Sequence, residues 1–257
     1  MQSSIEKLKK LENNILLRNQ NNRDSAETIR KLIGEIRKNV GNLRNTIGKN
    51  KNKNSKTQRK INKLPYHKVE NWILNNQNES IKSYYDSLSH GQVTSKMWMV
   101  ENLPKGNDLH IEIIGGWFGC PLIDLLNSKL NIKKIDFYEI DDNCKKVLAQ
   151  YLNHFNFKFK VSVFGDFFER KELRRRDLII NTSSEHMQDI TKMKQYFKGN
   201  PAIAIQSNNY FELDEHINCV ENVNQLINKN QIKKIWYKGD KVFEKYTRFM
   251  VIGQWYD

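Results

Sequence analysis

The sequence predicts an α/β fold: a mostly parallel seven-stranded sheet with an antiparallel last strand, preceded by an N-terminal coiled-coil-like helix. Three observations carry this. From Leu109 onward, short β-rich runs alternate with helical patterns, the order that builds a parallel sheet. The last two runs, Ile232–Tyr237 and Tyr246–Ile252, flank the turn-like Lys238-Gly239-Asp240 and read as an antiparallel hairpin. Residues 5–47 repeat apolar positions every seven residues.

The chain is organised around LHIEIIGGWFG, Leu109 to Gly119. A strand (Leu109–Ile114) meets Gly115-Gly116, then Trp117-Phe118-Gly119, and Cys120-Pro121 leads into the apolar run Leu122, Ile123, Leu125 and Leu126. This reads as strand, tight loop and helix, with Pro121 in the first turn, where its missing N–H costs nothing. Gly115, Gly116 and Gly119 let the backbone approach a ligand, and the helix start offers unpaired N–H groups. IDFYEID (Ile135–Asp141) reads as the second strand, ending in Glu139. Glu139 follows Gly119 by 20 residues, about where a nucleotide-binding α/β unit carries a ribose-binding acid.

Charge is unevenly distributed. The 257 residues carry a net +14. Residues 1–63 hold 17 Lys and Arg against 5 Asp and Glu, a net +12, which leaves only +2 for the rest. A basic surface that seeks nucleic acid therefore belongs to the N-terminal segment, and the globular part is nearly neutral. No apolar run approaches the ~18 residues of a membrane span. MQSSIEKLKKLENN lacks the apolar core of a signal peptide. Cys120, Cys144 and Cys219 are scattered, show no metal-type spacing, and suit a reducing, cytoplasmic compartment.

In chain order, residues 1–47 form an amphipathic, coiled-coil-like helical segment. One register runs Ile5, Glu12, Asn19, Ala26, Ile33, Val40, Ile47; the other runs Leu8, Ile15, Asn22, Ile29, Ile36, Leu43. From Ala26 to Ile47 the seam is wholly apolar. Gly34, Gly41 and Gly48 fall on its outer face and each weakens the helix by roughly 1 kcal/mol relative to Ala. Such a helix needs a partner, either further copies in a homo-oligomer or its own domain. Residues 48–63, GKNKNKNSKTQRKINK, read as a basic low-complexity linker. Residues 64–257 form the third region. Short helices are expected at Val69–Leu74 and Ser80–Leu88, and a longer one from Gln92. Further strands are expected at Phe159–Phe164, Asp177–Ile180 and Ala202–Gln206, with helices at Asp142–Asn153, near Asp189–Phe197 and near Val220–Asn228.

Polar residues cluster just past the expected strand ends: the glycine loop, Glu139, Asp166, Asn181–His186 and Ser207–Asn209. Ligands of open α/β sheets bind at that edge. On these motifs residues 92–253 resemble the class I S-adenosylmethionine-dependent methyltransferases, with a Rossmann-like sheet whose terminal hairpin supplies the antiparallel strand. DLIINTSSEHM, QSNNYFELDEHINC and KYTRFMVIG resemble the uncharacterised methyltransferase-like proteins of bacteriophage genomes, which would place the chain in the host cytoplasm if its source is viral. The resemblance implies S-adenosyl-L-methionine as cofactor, held by Gly115, Gly116, Trp117 and Gly119, with Glu139 on the ribose hydroxyls and Asp166 by the adenine amino group. It puts Asn181 at the edge where methyl transfer occurs. Two departures stand out. Ile113 sits where the family carries an acid, with Glu112 one position off, and Trp117 replaces the middle glycine. Trp117 also argues against a dinucleotide, whose pyrophosphate needs close backbone approach.

Glu185 and His186 are candidates for general acid/base work beside Asn181, since imidazole titrates near neutrality. Asn208, Asn209, Tyr210 and Arg248 are candidate substrate contacts, the last for an anion. Asp214, Glu215 and His216, with Cys219, match no familiar ligand spacing, and no metal is expected. Thr182, Ser183 and Ser184 follow Asn181 where amino-methyltransferases of nucleobases carry two prolines and an aromatic, which disfavours adenine or cytosine as acceptor. The acceptor is unknown, with a small molecule favoured over nucleic acid by the neutral core. The alternatives are an inactive methyltransferase-like binding protein assembled through its N-terminal helix, and another group transfer from the same cofactor, such as aminocarboxypropyl transfer. Deleting residues 1–63 is expected to leave a folded, nearly neutral domain that has lost its oligomeric state and any salt-sensitive nucleic-acid binding. Light scattering and a binding assay across salt concentrations check this; an unchanged oligomeric state would mean that the helix packs on its own domain.

Overall fold

The computed structural model describes residues 65–257; the expected coiled-coil segment 1–47 and linker 48–63 lie outside them. The chain divides into two compact units, Met1–Lys82 and Ser83–Asp257. In the first, α1 (Pro65–Asn76) begins on a proline and turns Tyr66, Val69, Glu70 and Ile73 to one buried face. His67 Nδ1 and a Glu70 carboxylate oxygen meet at 2.7 Å along it. A 3₁₀ turn (Asn78–Ser80) leads into α2 (Ile81–Ser87), which enters the second unit.

The second unit continues with α3 (His90–Asn102), β1 (Leu109–Ile114), α4 (Leu122–Lys129), β2 (Ile132–Tyr138), α5 (Asp142–His154) and β3 (Lys160–Phe164). Then follow β4 (Leu178–Asn181), β5 (Ala202–Asn208), α6 (Val223–Lys229), β6 (Lys234–Val242) and β7 (Thr247–Gln254). The seven strands pair in the order β3-β2-β1-β4-β5-β7-β6. All neighbours are parallel except those of β7, which runs antiparallel to both β5 and β6. This is the expected mostly parallel seven-stranded sheet with an antiparallel last strand. A separate two-stranded ribbon pairs Arg174–Arg175 with Phe197–Lys198. Among the described residues no helix is long and apolar enough to cross a membrane.

Strand alternation distributes the core to two faces. Ile114, Tyr138, Ile179, Ile203, Ile205 and Val251 share one cluster with Phe167, Phe197, Leu226 and Trp255. Their neighbours along the strands, Ile113, Phe137, Ile180, Ala204 and Ile252, are in register with one another on the other face and equally buried. Because helices and loops cover both faces, the central strands read as continuous apolar runs.

Three expectations are corrected. The hairpin turn lies at residues 243–246, where the Phe243 N–H donates to the Tyr246 carbonyl, and not at Lys238-Gly239-Asp240. Gly239 sits inside β6 opposite Met250, and a Cβ there would meet Tyr237 and Trp98 at 3.1 and 3.2 Å. That glycine marks close approach of side chains, a use of glycine in strands that resembles a turn signal in sequence. The helix expected near Asp189–Phe197 is a 3₁₀ segment, Ile190–Tyr196. The second strand stops at Tyr138 because Glu139 and Asp141 turn their carboxylates to nearby backbone amides: Asp141 accepts from the Asn143 N–H at 2.7 Å and caps α5.

Beneath the sheet lies a buried ion network. Glu112 on β1 is fully buried and meets Arg174 Nε at 3.0 Å and Arg176 Nε at 2.7 Å. Arg176 also binds the buried Asp136 of β2, which Lys134 meets at 2.7 Å and His110 at 3.2 Å. Burial pushes Glu112 up to about 7, and the two guanidiniums offset only part of that. Burial acts on Asp136 in the same sense, yet Lys134, Arg176 and His110 together hold it below the ordinary carboxylate range. Arg174 further stacks against Phe197, its guanidinium carbon 4.6 Å from the ring centre. Arg176→Ala is expected to leave the buried Glu112 Oε2 without its partner and to remove one of three cations from Asp136, destabilising the fold by about 3–5 kcal/mol, read by urea unfolding.

Candidate functional site

In the sheet order, β1 lies between β2 and β4, so the chain crosses over at β1 and leaves a crevice at the carboxyl ends of β1, β2 and β4. A cleft of about 740 Å³ opens there. A smaller one of about 510 Å³ lies at the opposite edge, near the amino ends of β1, β4 and β5, and includes Lys105, Arg175, Arg176 and Lys198. The glycine loop belongs to the first cleft, which is therefore the candidate site.

The loop after β1 is held in an uncommon conformation. Gly115 and Gly119 have φ of +62° and +75°, and Trp117 between them has φ of +56°. A bulky residue rarely adopts that left-handed region. The reason it does so here is Glu139, whose Oε2 accepts the Trp117 N–H at 2.9 Å while Oε1 accepts the Asp141 N–H at 3.0 Å. The Trp117 ring stacks on Phe118, centroids 5.4 Å apart. Burial pushes the Glu139 carboxyl above its ordinary range, and the backbone amides oppose that only in part. An ionised carboxylate offers about four acceptor positions, so acceptor capacity remains for a ligand beside the backbone amides.

Of the residues singled out in the sequence, Gly115, Trp117, Glu139, Asp166, Glu185 and His186 line the cleft. Asp166 Oδ1 accepts the Phe168 N–H at 2.7 Å, which fixes the turn after β3. The others are placed differently. A Cβ on Gly116 would strike the Phe137 ring at 2.3 Å, and one on Gly119 would strike Leu148 at 2.7 Å. Those two glycines seat the loop on the sheet and α5 rather than opening onto the cleft. Asn181 is fully buried; its Oδ1 accepts the Ser183 N–H at 3.0 Å, and its Nδ2 faces Met187 Sδ at 3.2 Å. It shapes the turn after β4 and is not open to the cleft.

Of the expected substrate contacts, Asn208 and Arg248 are buried and Asn209 and Tyr210 half-buried. Arg248 of β7 is 3% exposed, and its Nη1 meets Glu185 Oε1 at 2.9 Å and the Thr182 carbonyl at 3.2 Å. Its charge is matched internally, so it does not meet a substrate anion. Asn208 Nδ2 donates to the same Glu185 oxygen at 2.7 Å, and Asn208 Oδ1 accepts the Tyr210 N–H at 2.8 Å. Asn209 Oδ1 accepts the Thr247 N–H at 2.7 Å. Tyr210 is stacked with Tyr246, centroids 6.2 Å apart. Glu185, expected as an acid or base, is instead 2% exposed and ion-paired. His186 lies at the rim of the cleft, and partial desolvation of its ring lowers its pKa below the ordinary imidazole value.

Sequence reasoning missed Asp86 from α2, Tyr138, Phe167, Phe168, Met187, Glu215 and Ile217. Phe167 and Phe168 adjoin Asp166, so the GDFFE run held that signal. Asp86, on a helix far from the strand ends, carried none, and Glu215 stood out only within the Asp214-Glu215-His216 run, whose spacing suggests no ligand. Asp86, Glu139, Asp166, Glu185 and Glu215 line the cleft, and among the described residues no lysine or arginine does.

The chain matches no protein-family model and no curated protein sequence. Among solved structures it is similar to mycolic acid cyclopropane synthase CmaA1, solved with SAH and CTAB, at 6% identity and a TM-score of 0.52, over 65% of this chain and 85% of that one. It also aligns with the N-methyltransferase NodS from Bradyrhizobium japonicum WM9 at 10% identity and a TM-score of 0.48, over 64% of this chain and 94% of that one. At such identities the likeness is one of fold: a mostly parallel, Rossmann-like α/β sheet.

Behind the cleft, Lys96 of α3 is 3% exposed, and its ammonium donates to Gln92 Oε1 at 3.0 Å. Burial lowers its pKa from the ordinary 10.5 to about 8; Arg248 adds to this, and Cys120 and Glu185 oppose it. Between about 8 and 10.5 the unfolded chain holds a proton that the folded chain has released, so folding stability rises with pH across that window. Below it the buried charge is a cost. Lys96→Met is therefore expected to stabilise the protein at neutral pH by up to about 3 kcal/mol. That gain is expected to shrink to nothing as pH rises to 10.5, read by urea unfolding at a series of pH values.

Proposed function

We propose that this chain transfers a methyl group from S-adenosylmethionine to an acceptor bound at the His186 end of the cleft. The observation that carries the reading is the charge of the cleft: Asp86, Glu139, Asp166 and Glu215 line it besides the ion-paired Glu185, and among the described residues no lysine or arginine does, beside a glycine loop in a fold similar to that of CmaA1. A dinucleotide or nucleoside triphosphate brings several negative charges and is repelled there, whereas a sulfonium with an ammonium group is attracted.

The residues fit that ligand. Glu139 lines the cleft and retains acceptor capacity for the ribose hydroxyls while it holds the Trp117 and Asp141 amides. Asp166, beside Phe167 and Phe168, takes the adenine amino group, and Tyr138, Ile140 and Phe168 supply an apolar bed for the base. Gly115 and Trp117 face the amino-acid end. When bound, the cofactor supplies an electrophilic methyl group on sulfur. The protein's part is to hold the acceptor in line with that bond and exclude water, which is a matter of positioning more than of acid or base strength. Ser183, His186, Glu215 and Ile217 form the acceptor side.

Calorimetry with S-adenosylmethionine and S-adenosylhomocysteine tests the reading, with binding of at least one expected and the absence of both at millimolar concentration rejecting it. Product analysis separates methyl transfer, which leaves S-adenosylhomocysteine, from aminocarboxypropyl transfer, which leaves methylthioadenosine. Glu139→Ala is expected to weaken cofactor binding at least tenfold, since each charge-assisted hydrogen bond contributes about 1.5–3 kcal/mol. A folded variant with unchanged affinity would remove Glu139 from the cofactor site.

A further inference from the structure

We propose that Glu185, His186 and His216 form a binding site for one first-row divalent transition-metal ion at the acceptor end of the cleft. A carboxylate oxygen of Glu185 and one ring nitrogen from each histidine lie within 4.8 Å of one another. The two imidazoles meet edge to face, centroids 4.5 Å apart. Glu185 and His186 end the segment after β4, and His216 comes from the loop after β5, so the cluster exists only once those strands are adjacent.

Proximity alone would be weak, but each side chain is also prepared as a ligand. Glu185 is 2% exposed, and its Oε1 is taken by Asn208 and Arg248 at 2.7 and 2.9 Å. Its Oε2 is buried with no hydrogen-bond partner. An unpartnered carboxylate oxygen of that kind is costly and calls for a cation or donor. His216 Nδ1 donates to the Tyr210 carbonyl at 2.7 Å, which fixes the tautomer and leaves Nε2 with a free lone pair. His186 packs edge to face against the His216 ring, which limits its orientation. Hydrogen bonds behind the ligands of this sort set ring orientation in metal sites generally.

Two imidazoles and one carboxylate suit zinc, cobalt, iron or nickel rather than magnesium or calcium. Ligand atoms on such an ion stand roughly 3.4 Å apart, so binding needs a closure of about an ångström, which the exposed His186 ring supplies. Three protein ligands leave coordination positions open toward the cleft. The substrate class that follows is an acceptor presenting an oxygen donor, a hydroxyl or carboxylate, to those positions. This assignment of the acceptor rests on the methyl-transfer reading; the binding of the ion does not. The spacing that was unpromising in sequence, Asp214-Glu215-His216 with Cys219, contributes only His216.

The test is titration of the tag-free full-length protein with Co²⁺, followed by visible absorption, with S-adenosylmethionine affinity measured on the same samples. One Co²⁺ per chain is expected. His186→Ala and His216→Ala are each expected to weaken it at least tenfold, while Asp214→Ala, at an exposed neighbouring position, leaves it unchanged. The two histidine variants spare the Glu185–Arg248 pair and so keep the test independent of folding. Failure of the wild type to bind Co²⁺ at millimolar concentration, or wild-type affinity in the double histidine variant, overturns the proposal. Cofactor binding without Co²⁺ binding rejects the metal site alone. Co²⁺ binding without cofactor binding rejects the methyl-transfer reading and with it the oxygen-donor acceptor.

Discussion

The hydrogen bond from the Trp117 amide to Glu139 Oε2, 2.9 Å long, ties the loop after β1 to the tip of β2. Without it a tryptophan at φ of +56° has little reason to stay in a region that glycine normally fills. With it, the loop curls over the sheet, Gly116 drops against Phe137, and Gly119 lets α4 start against Leu148. The same carboxylate also accepts the Asp141 amide, and Asp141 in turn caps α5. One side chain thus sets the loop, the end of a strand and the entry to a helix. The cleft is the space these elements leave.

The far wall is organised by a second carboxylate under different rules. Glu185 is buried, and its charge is balanced by Arg248 from the antiparallel strand β7 and by Asn208 from β5. A buried ion pair of this kind adds little net stability, because desolvation offsets most of the attraction. What it does is hold one carboxylate oxygen against the sheet and leave the other aimed elsewhere. The antiparallel strand thereby has a role at the site: it delivers the guanidinium that permits a carboxylate at this depth. Glu112, Arg174, Arg176 and Asp136 follow the same logic beneath the sheet, where they pin the 174–176 segment under β1 and β2.

Much of the fold was legible because parallel sheets write themselves as apolar runs with polar ends. Leu109–Ile114 was read to the residue, and each remaining strand was found within a few positions. Errors fell where one residue type serves two purposes. Gly239 looks like a turn and is a strand residue under Trp98 and Tyr237. Gly115, Trp117, Glu139 and Asp166, which stand in contiguous motifs, all line the cleft. Asn181, Asn208 and Arg248 were named for the right edge of the sheet, but they face inward, and an edge position does not say which way a side chain turns.

The sequence by itself determined the alternation of strands and helices, the antiparallel end of the sheet, the glycine loop with its acid 20 residues on, and the concentration of basic charge before residue 64. These follow from local chemistry: period, turn residues and charge counts need no partner. Only the tertiary structure decided which polar residues are open and which are spent on each other. Asp86 and Glu215 reach the cleft, Arg248 is consumed by Glu185, and His186 meets His216 across 30 residues of chain. The physical reason is that hydrogen-bond and charge satisfaction is settled between elements, by which strand lies beside which, and that adjacency arises from burying the two faces of the sheet.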